Sequence, residues 1–216
     1  MTVRKLDRTS VSKPACLVTP PALYADLYGP QKEEIRSLLL TMQGDRCAYC
    51  ERRTGAEKND GHIEHFRDQS EHNSLQLDWA NMFWSCNDEK TCGKHKDKCK
   101  KPSGPLRRYD PDDVINPGSE DPEGFFLFVS DGTVRPRDGL AQHELHRVAE
   151  TLRVFQLADS AFLRKSREDA VKPYVGAIDW LISVGPEHVS EYILKELGNL
   201  AAPFSTAIKH FLESQI

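Results

Sequence analysis

The sequence predicts an α+β chain in which a metal-stapled module precedes a helical region. Three observations carry this. Five of the six cysteines fall between residues 47 and 99. That stretch has little helical periodicity, whereas a helical period dominates after about Leu140. Between the two, "FFLFVSDGTV" has the pattern of a hairpin, two apolar runs around Ser130-Asp131-Gly132.

The remaining elements follow in order. Residues 1–28 read as an irregular N-terminal segment punctuated by Pro14, Pro20 and Pro21. "GPQKEEIRSLLLTMQG" reads as a helix, with Pro30 in its first turn, Glu33 and Glu34 at its positive end and Gly44 at its stop. Its Ile35, Leu38, Leu39 and Met42 form one buried stripe. The cysteine-rich module takes residues 29–115, with a Pro-, Gly- and Asp-rich loop over 102–124. The hairpin and helical region takes 116–216. Its first helix shows the period in Leu145, Val148, Ala149, Leu152 and Phe155. Further helices are predicted over 159–182, 186–198 and 203–214, with a kink at Pro173.

With 38% hydrophobic and 29% charged residues, 216 residues suffice for a sizeable core. A net charge of −4 excludes a polycation, so nucleic-acid binding would need a local basic patch. No apolar run reaches membrane-spanning length and no apolar stretch follows the charged N-terminus, so the expectation is a cytoplasmic protein without membrane contact. In a reducing compartment, clustered cysteines point to metal rather than disulfides.

Cys47-Ala48-Tyr49-Cys50 forms a Cys-x-x-Cys knuckle, and Cys86 and Cys92 supply a second pair. Two such pairs make the tetrahedral thiolate site of structural Zn²⁺. Five residues separate the second pair, and Cys99 competes as the fourth ligand. Cys16 stands alone and is assigned to packing. A redox pair of Cys47 and Cys50 is the rival reading, but no thioredoxin-like βαβ pattern surrounds it.

Between the pairs lie Glu64, His65 and Asn81. Phosphodiester hydrolysis needs a base to activate water and a cation to offset charge on the leaving oxygen. An imidazole titrating near neutrality suits the first role. A carboxylate is a hard ligand for Mg²⁺. Neighbours in a strand point to opposite faces, so a bend or bulge would be needed for Glu64 and His65 to share one centre. Asn81 would orient the imidazole, and His95 and Asn87 are the two candidates for a third position. Trp79, Phe83 and Trp84 read mainly as core, with Leu77, Trp79 and Phe83 behind the site. His143, His146, His188 and His210 read as surface or capping residues.

The order Cys-x-x-Cys, Ile-Glu-His-Phe, "LDWANMFWSC" and "CGKHKDK" resembles the HNH (ββα-metal) nuclease motif in a zinc-ribbon frame. Over about 34–101 it is most similar to the PtuB-type nucleases of Septu and retron anti-phage defence systems. The resemblance implies a metal-dependent endonuclease that cuts DNA or RNA. His65 would be general base, Glu64 a ligand of a catalytic Mg²⁺ or Mn²⁺, Asn81 the orienting residue, and His95 or Asn87 the further ligand. Relatives often place Asn or His directly after the last cysteine, where this chain has Gly93, and often Pro where it has Asp68. The resemblance also implies a PtuA-type ATPase partner, docked by the helical tail. The basic run Lys94, Lys96, Lys98, Lys100, Lys101, Arg107 and Arg108 would then contact phosphates. The alternative is a non-catalytic zinc-binding module for nucleic acid or protein, which has no need of Glu64, His65 and Asn81 as a set.

Overall fold

The computed structural model describes residues 4–55, 57, 59–100, 103 and 106–216. Helix α1 (Gly29–Gln43) has Pro30 in its first turn and ends where Gly44 turns left-handed at φ 61°. Ile35, Leu39 and Met42 are buried as the spacing requires. The N-terminal segment before it forms three short 3₁₀ turns.

Strands β1 (Gly61–His65) and β2 (Met82–Cys86) pair antiparallel, with Glu64 opposite Phe83 and His65 opposite Met82. A Cβ on Gly61 would lie 2.5 Å from the Trp84 indole, so only glycine lets that ring cover the strand. Helix α2 (Cys92–Lys100) follows and packs between β2 and helix α3 (Gln142–Phe155). The second sheet pairs β3 (Phe126–Phe128) with β4 (Val134–Pro136), around the turn read from Asp131-Gly132. Gly132 is left-handed at φ 77°, and a Cβ there would fall 1.9 Å from the Arg164 carbonyl, so the turn lies against helix α4 (Ala161–Val184). Helices α5 (Val189–Leu197) and α6 (Ser205–Glu213) complete an α+β fold.

Two expectations are corrected, the α3 stripe and the exposure of His210. In α3 the inward stripe is Val148, Thr151, Val154 and Phe155, whereas Ala149 is exposed. Pro173 lies inside helix α4, which continues past it. His210 is buried and accepts the Phe128 N–H at Nδ1, 3.1 Å away. No described helix is long and apolar enough to cross a membrane.

One apolar core runs from α1 through both strands to α3, α4 and α6. The cysteine knuckle is welded into it. Tyr49 stacks on Phe155 at 4.1 Å. The buried Glu51 carboxylate accepts from Thr206 N at 3.1 Å and from the Ser205 and Thr206 hydroxyls at 3.2 Å, which caps α6. Arg46 donates to Ala202 O and Ser205 Oγ from the same loop.

Candidate metal centre and the His65 site

Cys47, Cys50, Cys86 and Cys92 are all buried, and their sulfurs lie within 4.8 Å of one another. A tetrahedral zinc about 2.3 Å from each sulfur sets a sulfur–sulfur spacing of about 3.8 Å. The Cys50–Cys86 distance of 4.0 Å is close to that. Cys47 and Cys50 flank a tight turn closed by Cys47 N to Arg52 O at 2.9 Å, and Cys86 ends β2. Cys92 opens α2 with φ 54°, a left-handed backbone uncommon for a side-chain residue. This kink explains the wide spacing of the second pair: strand end and helix start deliver the two sulfurs from different elements.

Backbone N–H groups of Cys86 (3.3 Å) and Tyr49 (3.5 Å) point at Cys47 Sγ, as around a thiolate ligand. Burial opposes ionisation of these thiols. Against it, bonds from the other three cysteines and the Cys86 N–H hold Cys47 well below the usual thiol range, while Cys50 and Cys92 are pushed well above. Four close, buried thiols of this kind can hold a structural metal such as zinc, under which every one is deprotonated. Among the described residues the guanidinium of Arg167, 2% exposed, donates to the Gly132 and Leu157 carbonyls, and Cys50, Cys92 and Glu51 face it. With a metal bound, it would supply countercharge to the deprotonated cluster. Cys99 lies outside the cluster, 3.8 Å from His95 Nδ1 and 4.0 Å from Arg153 Nη1, so it is not the fourth ligand. Cys16 packs against the Gln31 carbonyl.

His65 ends β1, 7% exposed. Its Nε2 lies 2.9 Å from Gln76 O. A carbonyl only accepts, so Nε2 carries the proton and Nδ1 is the bare nitrogen. Nδ1 makes no hydrogen bond among the described residues. Burial first, and the Lys96 charge after it, hold the imidazole below its ordinary value; the Gln76 carbonyl and the Glu64 and Asp68 carboxylates oppose this. The ring is therefore a neutral acceptor at neutral pH. Tyr24 stands edge-on to it at 4.7 Å.

Among the described residues Asn81 makes no hydrogen bond to the imidazole. Its amide donates to Arg67 O (2.9 Å) and Leu75 O (3.1 Å) and accepts from Arg67 N (2.7 Å). It fastens the loop that carries the Gln76 carbonyl, and so positions His65 at one remove.

Glu64 is on the opposite face of β1, since the register is regular and has no bulge. Its Oε2 meets His62 Nε2 at 3.1 Å, and its Oε1 forms an ion pair with Lys96 that is close but not aligned as a hydrogen bond. Burial would raise the Glu64 carboxyl, but Lys96 and His62 bring it down to about 2. His62 Nδ1 in turn faces Asn87 Oδ1 at 2.8 Å, and Asn87 donates to Asn59 O and Gly61 O. Both ring nitrogens of His62 thus face acceptors. Burial lowers its pKa, but the Glu64 and Asn87 bonds raise it above the ordinary value. The sequence reading missed His62, although its i, i+2 spacing from Glu64 in a strand puts both on one face.

Two expected ligands of a catalytic metal are corrected. The His95 imidazole points to α3, with Nδ1 2.8 Å from Val154 O. Asn87 reaches Glu64 only through His62. Neither therefore offers Glu64 a further ligand for a divalent ion, and the ammonium of Lys96 occupies the carboxylate instead.

The basic run is also revised. Lys96 is buried and is no phosphate contact. Lys98 pairs with Glu89, Lys100 with Asp68 and Asp97, Arg107 with Glu150 and Arg108 with Glu71. Lys94 has no ion pair among the described residues, and Lys101 lies outside them. A cleft of about 1000 Å³ runs between α1 and β1, lined by Tyr24, Lys32, Arg36, His62, Ile63 and Trp84. The chain matches no protein-family model, and no curated protein matches it.

Proposed function

We propose that this chain is an endonuclease of the HNH type that hydrolyses phosphodiester bonds of nucleic acid around His65. The observation that carries this is the state of His65: a neutral imidazole at the end of β1, its Nε2–H fixed on the Gln76 carbonyl and its Nδ1 bare. A water within reach of Nδ1 loses a proton to it while the water oxygen forms a bond to phosphorus. The bond from phosphorus to the leaving nucleoside oxygen breaks, and that oxygen takes a proton from solvent. Asn81 keeps the carbonyl that aims the ring. The zinc-type cluster fixes the end of β2 and the start of α2 around the same strand pair.

A second reading, a zinc-binding module that binds nucleic acid or protein without cutting it, is favoured by the closed Glu64–Lys96 pair. The partner in either reading is a protein such as a PtuA-type ATPase. Trp180, Ile182 and Val184 of α4 and Leu194 of α5 are exposed apolar side chains suited to docking it. The test compares zinc-loaded wild type and His65→Ala protein on DNA and RNA, with the candidate ATPase present. Cleavage lost in His65→Ala supports the nuclease; equal cleavage refutes it, and binding without cleavage in both proteins favours the module.

A further inference from the structure

The Glu64 end of β1 is where a nuclease of this type would hold a divalent cation, and here a lysine occupies it. Lys96 is 1% exposed, and its ammonium pairs with Glu64 Oε1 and donates to His65 O at 2.5 Å and to Phe66 O at 3.4 Å. These are the hard oxygens, a carboxylate and backbone carbonyls, that suit Mg²⁺ or Mn²⁺. The other carboxylate oxygen is engaged by His62. From α2 the ammonium faces one further carboxylate, Asp97 Oδ1 at 3.8 Å, which is exposed and lies closer to Lys100 at 3.1 Å. The position after Cys92 is glycine, and a Cβ on Gly93 would lie 2.6 Å from Glu64 Oε2. The missing side chain is what lets the carboxylate lie against the helix. His95, the next candidate on α2, faces Val154.

We infer that the Lys96 ammonium is the resident cation of this centre and that the chain works on phosphodiesters without a catalytic divalent metal ion. Lys96 is a positioning residue here. It ties α2 to the two carbonyls that close β1, and so holds the strand end that carries the His65 ring. A divalent ion would have to displace a buried ammonium and break the His62 bond, and the second carboxylate near it, Asp97, is held by Lys100.

The expectation of a divalent ion at Glu64 rests on the nuclease reading, but the test reads ion binding and not cleavage, so the two can fail separately. Zinc-loaded wild-type protein is titrated with Mn²⁺ and followed by electron paramagnetic resonance. Thiolates favour zinc over manganese, so the cysteine cluster does not compete. The expected result is no tight Mn²⁺ site, or one that Glu64→Gln leaves unchanged. One Mn²⁺ bound at micromolar concentration and lost in Glu64→Gln overturns the inference. Lys96→Met, if it folds, should tighten Mn²⁺ binding by roughly 10–100-fold, the range over which neighbours of a ligand tune metal affinity. A folded Lys96→Met protein with no gain also overturns it, and if that variant does not fold the wild-type titration decides alone.

Discussion

Replacing Cys92 by serine should cost the protein both its metal and its cooperative fold. Cys92 is fully buried, supplies one of four clustered sulfurs and opens α2 from a left-handed backbone. Helix α2 has nine residues, four of them lysine, and isolated helices shorter than about 12–15 residues are marginal. Its attachment at Cys92 is therefore what keeps it in place, and Lys96 with it. A structural zinc contributes about 10–16 kcal/mol of apparent binding energy. A domain's whole stability is about 5–15 kcal/mol. Losing even half of the metal term is enough to unfold the centre. Elemental analysis should give one zinc per wild-type chain and nearly none in Cys92→Ser, and circular dichroism should show a broad, early transition. Cys99→Ser and Cys16→Ser should keep both zinc and transition, because neither sulfur lies in the cluster. A Cys92→Ser protein that holds one zinc and melts with the wild type would refute the four-cysteine assignment.

Three further outcomes follow from the same geometry. Lys94→Ala should reduce the slope of log K against log salt for duplex DNA by about 0.9, one phosphate contact, while Lys98→Ala, already paired to Glu89, should change it less; equal slopes for wild type and Lys94→Ala would make the run a solvated face. The Glu64 carboxyl sits at about 2 against 4.5 unfolded, so its stabilisation of about 3 kcal/mol is full above pH 4.5 and is lost as pH falls toward 2. Denaturant melts at stepped pH should show this acid loss in wild type and a flatter limb in Glu64→Gln. Asn81→Ala should slow cleavage less than His65→Ala and speed amide exchange over residues 66–76, since it frees the loop but keeps the base.

The four-cysteine cluster was legible because spacing in the chain maps onto knuckle geometry, and α1 was legible from its stripe and its stop at Gly44. The faces of α2 were not. Successive helical residues point about 100° apart, and choosing His95 over Lys96 needed the helix phase, which lysine-rich composition hides. One signal was present: Lys96 stands four residues after Cys92, so both face the strand pair, whereas His95 and Cys99 share the face toward α3. Lys96 passed for a phosphate contact because burial of a paired lysine depends on Glu64, a partner 32 residues away. Likewise the carboxylates that neutralise Lys100 and Arg107, Asp68 and Glu150, come from distant segments. His210 looked like a surface residue because its partners, Phe128 and Arg137, lie in and beside the hairpin sheet.

The most direct test of His65 as the base is chemical rescue. Zinc-loaded His65→Gly protein is assayed for phosphodiester cleavage with and without added imidazole, with the proposed ATPase partner present. Cleavage should fall by roughly 10²–10⁴-fold, the usual contribution of general-base catalysis, and recover as the concentration of neutral imidazole rises. A His65→Gly protein that cleaves at the wild-type rate would contradict that role for His65.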